Sequence, residues 1–111
     1  MDIVETGKVD NALIVSVGGR MDVISAPEFE KAFDEWIDAG EFDFIIDFSN
    51  LEFISSAGIR SILVTAKKLE GRGGRVVLAG PKAAVKKVFE ISGFYALIPI
   101  FETTDDALRE R

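Results

Sequence analysis

The sequence predicts an α/β layer fold built on a mixed, largely parallel sheet of about five strands. Two observations carry this. Apolar strand-like runs alternate with helix-period runs after an opening hairpin, in the order ββαβαβαβα, and glycine or proline marks most junctions. A third observation bounds it: 111 residues with 48% hydrophobic side chains suit one compact domain with a real core.

Each element has its own signal. Ile3 to Val9 and Ala12 to Val17 are two apolar-rich runs joined by Asp10-Asn11, a hairpin pattern, and Gly18-Gly19 is expected to end the second strand. Ser25-Ala26-Pro27-Glu28 has capping-box spacing and opens the first helix, where proline removes no intrahelical donor. Phe29, Ala32, Phe33, Trp36 and Ile37 define its buried face, and Gly40 stands where a C′ residue would end it. Phe42 to Phe48 reads as a central strand. Ile59, Ile62, Leu63, Ala66 and Leu69 give the second helix, ended by Gly71. Val76 to Ala79 is a buried strand, and Gly80-Pro81 opens the next turn. Val85, Val88 and Phe89 mark the third helix before Gly93. Leu97 to Phe101 contains Pro99, which places it at a sheet edge, and Thr103 to Asp106 can cap a last helix carrying Ala107 and Leu108.

Composition excludes several function classes. A formal net charge of −6 repels phosphate backbones and anionic membrane surfaces, so neither nucleic acid nor membrane is expected as a partner. Any effect on transcription would pass through another protein. The chain has no cysteine and no histidine, which removes disulfides, the usual zinc sites, thiol nucleophiles and any Ser-His pair. Met1-Asp2-Ile3-Val4-Glu5 lacks the basic and apolar regions of a signal peptide, and no apolar run approaches a membrane span of about 20 residues. A cytoplasmic, non-enzymatic protein is the expectation.

In an open α/β sheet, functional groups gather where strands end and helices begin. The stretch from Asp47 to Gly58 is such a place. Leu51, Phe53 and Ile54 are expected to pin the loop to the core, with Ser55 and Ser56 at the start of the second helix. Unpaired amides and the helix dipole make that end receptive to an anion, so a phosphate on either hydroxyl would meet donors directly. Such a modification adds roughly −1.5 to −2 charge and can alter partner affinity without altering the fold. Serine is also a favoured N-cap, so on the physics alone one of the pair reads first as a structural cap. Gly58, with no side chain, would admit a partner's backbone.

The run Asp47-Phe48-Ser49-Asn50-Leu51-Glu52-Phe53-Ile54-Ser55-Ser56-Ala57-Gly58-Ile59-Arg60-Ser61-Ile62-Leu63 resembles the signature of STAS domains (sulfate transporter and anti-sigma factor antagonist). It is especially similar to the stand-alone bacterial anti-sigma factor antagonists. Gly19-Arg20-Met21-Asp22, Gly73-Gly74 and the run Val85 to Phe94 add matches in the same order, so the resemblance spans nearly the whole chain. It implies a single STAS-type domain over residues 1–111, with helices packed mainly on one face of the sheet. It further implies that Ser56, ahead of Ser55, is the phosphorylated residue. Asp22, Ser55, Ser56, Ala57, Gly58 and Arg60 would form the partner-binding surface. Two departures stand out: Ser55 replaces the family's usual acid, and Ala57 replaces a frequent second hydroxyl residue.

The implied mechanism is partner switching. The unphosphorylated domain would bind an anti-sigma factor that is also a GHKL-type serine kinase. That partner would spend its own Mg-ATP on Ser56, and a PP2C-type phosphatase would reverse the change. The chain itself would carry no catalytic residue, cofactor or metal. An alternative within the family is a STAS accessory subunit of an ABC-type lipid transport complex, which needs no phosphorylation. Elsewhere, Gly71 to Arg75 follows a helix and precedes a strand, the reverse of a phosphate loop, and reads as a tight αβ turn. Lys82, Lys86 and Lys87 read as a solvated helix face. Asp47 reads as a loop-ordering acceptor, and Asp22 reads as a partner contact or a turn residue with equal weight.

Overall fold

A computed structural model describes residues 1–110. Its strands are β1 (Asp2–Val9), β2 (Ala12–Met21), β3 (Asp43–Asp47), β4 (Leu51–Ile54), β5 (Arg75–Ala79) and β6 (Ile100–Phe101). Its helices are α1 (Ala26–Asp38), α2 (Ser56–Glu70), α3 (Ala83–Ile91) and α4 (Thr104–Glu110), with a 3-10 turn at Phe94–Ala96. The sheet runs β1-β2-β3-β5-β6, antiparallel only at the first pair, with β4 added beside the end of β2. The mixed, mostly parallel sheet of the sequence reading is therefore present, with one strand more than expected.

Local chemistry explains the elements. Asp10 and Asn11 both take positive φ, 49° and 71°, which is what a two-residue hairpin turn between twisted strands requires. α1 lays Phe29, Phe33 and Ile37 on the sheet, with Phe33 4.5 Å from Phe29 and 5.1 Å from Phe44 between ring centroids. Phe44 and Ile46 of β3 face the large core under α1, α2 and α3. Ile45 points the other way, into a smaller cluster with Ala12, Val77, Ala79 and Ala107 that α4 covers. Three helices on one face and one short helix on the other match the expected layering. β6 lies at the sheet edge, where Pro99 accepts a bond from the Leu78 amide and needs no donor of its own.

Several expectations are corrected. Gly18-Gly19 does not end β2. The strand bends at Gly19 (φ +86°), leaves β3, and continues alongside β4 to Met21. A Cβ on Gly18 would stand 3.1 Å from that of Asn50, so the glycine admits the loop before β4. The expected capping box does not form: Ser25 makes no side-chain cap bond. Gly71 does end α2 as its C-cap, and the tight αβ turn expected there follows, with Gly73 in the left-handed region. The buried stripe of α2 is Gly58, Ser61, Ile62, Thr65 and Leu69, so Ile59, Leu63 and Ala66 are only partly buried. Small Ser61 and Thr65 are part of that stripe, and Ser61 meets α1. Ser61 Oγ donates to Glu30 Oε2 at 2.6 Å across that contact.

Candidate functional site

β2 and β4 end side by side, and each delivers its chain into a helix from the same end of the sheet. Met21 pairs with Ile54, and the Ser55 amide donates to the Met21 carbonyl at 2.9 Å. The turn from β2 to α1, residues 22–25, is thereby held against the turn from β4 to α2. The sequence reading placed Asp22 and the serines in one site, and the fold brings them together.

The two serines differ sharply. Ser55 is the N-cap residue of α2, extended at φ −102° and ψ 176°, and its Oγ is buried with no hydrogen-bond partner. Ser56 is the first helical residue and is exposed. Ser55 thus takes the N-cap position that the sequence left open for one of the pair, but without a side-chain cap bond. The helix closes instead through the Ser55 carbonyl, which accepts from the Ile59 amide at 3.0 Å. The amides at the start of α2 thus have no N-cap side-chain acceptor, and exposed Ser56 is in that first turn.

Gly58 acts inward. It is buried, and a Cβ there would lie 2.8 Å from Ile54 Cγ1 and 2.9 Å from both Met21 Cγ and the Met21 carbonyl oxygen. Its missing side chain admits these two strand ends rather than a partner's backbone, which corrects the sequence reading. Phe53 is also corrected. It does not pin the loop but is 38% exposed, with the Arg20 guanidinium 4.2 Å above its ring. Leu51 and Ile54 do the pinning, both buried. Ala57 is partly exposed, while Arg60 is exposed one turn beyond Ser56 on the same helix face.

Asp22 is a turn organiser. Its Oδ1 accepts from the amides of Ile24 and Ser25, each at 3.1 Å. Its own amide donates to Ser25 Oγ at 2.9 Å, and that hydroxyl has the Arg20 carbonyl at 2.8 Å as its closest acceptor. The bond from the Ser25 amide is the main cause holding the Asp22 carboxyl below its ordinary range, with further help from Ile24, the Ser25 hydroxyl and Arg20. Asp47 orders the other loop, with Oδ1 accepting the Ser49 amide at 2.9 Å. The basic stretch is solvated and paired outward, Lys82 to Glu52 and Lys86 to Glu102. Residues missed by sequence reasoning are Val23 and Ile24, 73% and 86% exposed at the tip of the 22–25 turn. The available signal was two apolar residues inside an Asp-x-x-Ser turn, where polar ones are usual.

Known proteins share this sequence pattern and fold. The STAS domain family model matches residues 3–107. The chain is 36% identical to BtrV of Bordetella bronchiseptica, assigned as an anti-sigma factor antagonist, over 100 residues covering 90% of this chain and 86% of that protein. It is 28% identical to the anti-sigma-B factor antagonist of Staphylococcus aureus over 102 residues, 92% of this chain and 94% of the relative. A crystal structure of an anti-sigma factor antagonist from Mycobacterium paratuberculosis superposes with a TM-score of 0.84 at 28% identity, over 97% of this chain and 92% of that one. The chain belongs to the STAS domain family, and the three relatives above are described as anti-sigma factor antagonists. Among the described residues, no helix is long and apolar enough to cross a membrane.

Proposed function

We propose that this protein is an anti-sigma factor antagonist that binds an anti-sigma factor kinase in its unphosphorylated form and is released by phosphorylation of Ser56. The observation that carries the reading is the contrast between neighbouring hydroxyls. Ser56 is exposed at an uncapped helix start, whereas Ser55 Oγ is enclosed. A kinase must bring the γ-phosphorus of ATP to within bonding reach of the oxygen, which an enclosed hydroxyl prevents without local opening.

The reaction is ordinary phosphoryl transfer. Ser56 Oγ forms a bond to the γ-phosphorus, the bond to the ADP oxygen breaks, and a base of the kinase takes the serine proton. Nucleotide and Mg²⁺ belong to the kinase, so this chain is substrate rather than enzyme and works without a cofactor of its own. The added charge of roughly −1.5 to −2 meets a surface fitted to a neutral hydroxyl, and burying it unpaired in the interface opposes binding. A PP2C-type phosphatase restores the neutral form. The surface would comprise Asp22, Ser55, Ser56, Ala57 and Arg60, with Asp22 acting by shaping its turn and Ser55 by setting the helix start. The function is exercised in the cytoplasm, where sigma factors act.

The test is incubation of the purified protein with Mg-ATP and the candidate GHKL-type kinases of its own genome, followed by mass spectrometry. Ser56→Ala should abolish incorporation, and Ser55→Ala should retain it. Phosphate on Ser55, or none with any such kinase, would contradict the proposal.

A further inference from the structure

The turn that Asp22 organises ends in two bare apolar side chains. Val23 and Ile24 are 73% and 86% exposed, and Ile24 is the more exposed of the two. Ordinarily so short a turn would carry polar residues. We propose that Val23 and Ile24 form the apolar anchor by which this protein holds the anti-sigma factor kinase that modifies Ser56. The inference rests on the functional reading above and deepens it by naming where the affinity resides.

Three observations support the assignment. The turn is built rather than loose: Asp22 Oδ1 fixes the Ile24 and Ser25 amides, Ser25 Oγ is held by the Asp22 amide and the Arg20 carbonyl, and the Ala26 amide bonds the Asp22 carbonyl at 2.8 Å. Both side chains are β-branched and stiff at χ1. Immobilising them on binding therefore costs little entropy, the property of a good anchor. The turn is also joined to the serine by the Ser55 amide bond to Met21, one residue before Asp22. A partner seated at Ser56 has this tip beside it.

The rim chooses the occupant. Arg20, stacked on Phe53 and ion-paired with Asp22 Oδ2 at 3.9 Å, flanks the tip on one side, and exposed Arg60 lies beyond Ser56 on the other, in a molecule of net charge −6. The complementary surface is an apolar recess with an acidic rim. The tip is joined to the surface at Ser56 through the Ser55 amide bond to Met21, so the partner that docks on Ser56 is the one that meets it. The fitting partner is a different protein.

The test measures Kd for the unphosphorylated full chain and the kinase by calorimetry, together with initial phosphorylation rates. Val23→Ser with Ile24→Ser should weaken binding by roughly 30-fold or more. It should raise KM for phosphorylation while leaving kcat near the wild-type value, because the anchor is not at the reacting atom. Ile91→Ser, at an equally bare position on α3, should leave Kd within about twofold. Unchanged thermal melting of the double variant would show that the loss is one of contact and not of folding. Wild-type affinity in the double variant, while Ser56→Asp loses binding, would overturn the anchor and leave the functional reading standing. Absence of binding by the wild type to any such kinase would overturn both. A wild-type dimer that dissociates in the double variant would assign the tip to a second copy and overturn the inference.

Discussion

Adjacent serines in a chain share their chemistry but not their surroundings, and the helix boundary between Ser55 and Ser56 separates the two here. Ser55 closes the first helical turn with its carbonyl and buries its hydroxyl, while Ser56 projects from the first turn of α2 into solvent. Sequence alone marked the pair and ranked Ser56 first by resemblance. The Ser55 backbone is tied to the end of β2 by its amide bond to Met21, a long-range contact that no local pattern records. Asp22 shows the same limit: its dual reading is resolved only once Ile24 and Ser25 turn back onto its carboxylate. Its pKa is lowered in the folded state from an ordinary value of 3.8, so its contribution to stability is present above that value and is lost as pH falls through the folded value. Asp22→Ala should therefore lower Tm at pH 7, and the gap to wild type should narrow below pH 3.8 as the wild-type carboxyl protonates. Melting curves at pH 7 and 3 check this, and a gap independent of pH would contradict it.

Among the elements, the junction of β2, β4 and α2 decides the geometry of the site. β4 escaped the sequence reading because its burial runs inward at Leu51 and Ile54 but outward at Glu52 and Phe53, so it lacks strict alternation. Gly18-Gly19 misled in the same region, since a glycine pair marks a strand end as readily as a bend. The longer elements were legible because their signals were redundant: α1 repeats large apolar residues at helical spacing, and β3 is apolar throughout its centre. Gly58 is where α2 touches both strand ends. Ala would gain up to about 1 kcal/mol in helix propensity over Gly. Its Cβ would nevertheless meet Met21 and Ile54 at 2.8 to 2.9 Å, including a backbone oxygen that has no side-chain freedom to yield. Overpacking of this kind costs about 1–3 kcal/mol. Gly58→Ala should thus destabilise the protein net, as a lower denaturation midpoint at unchanged m would show, and a stabilised variant would contradict the packing account.

At the scale of the molecule, the acidic net charge and the arginines of the site are compatible because Asp22 pairs with Arg20 there while most other carboxylates lie elsewhere. The carboxylates are spread over outer faces, where several pair with lysine or arginine, as Asp34 does with Lys68. Such exposed pairs add little stability, and their value is in keeping the surface soluble and selective. The core lies between the sheet and three helices, away from Ser56. A charge placed on that hydroxyl has no buried contact to break, so modification should change what the protein binds and leave its fold intact. The central claim is tested most directly by calorimetric titration of the anti-sigma factor kinase with the unmodified protein and with protein carrying phosphate on Ser56. The account predicts that the phosphorylated form binds roughly a hundredfold more weakly, at an unchanged Tm of the free protein. Equal affinity of the two forms would contradict it.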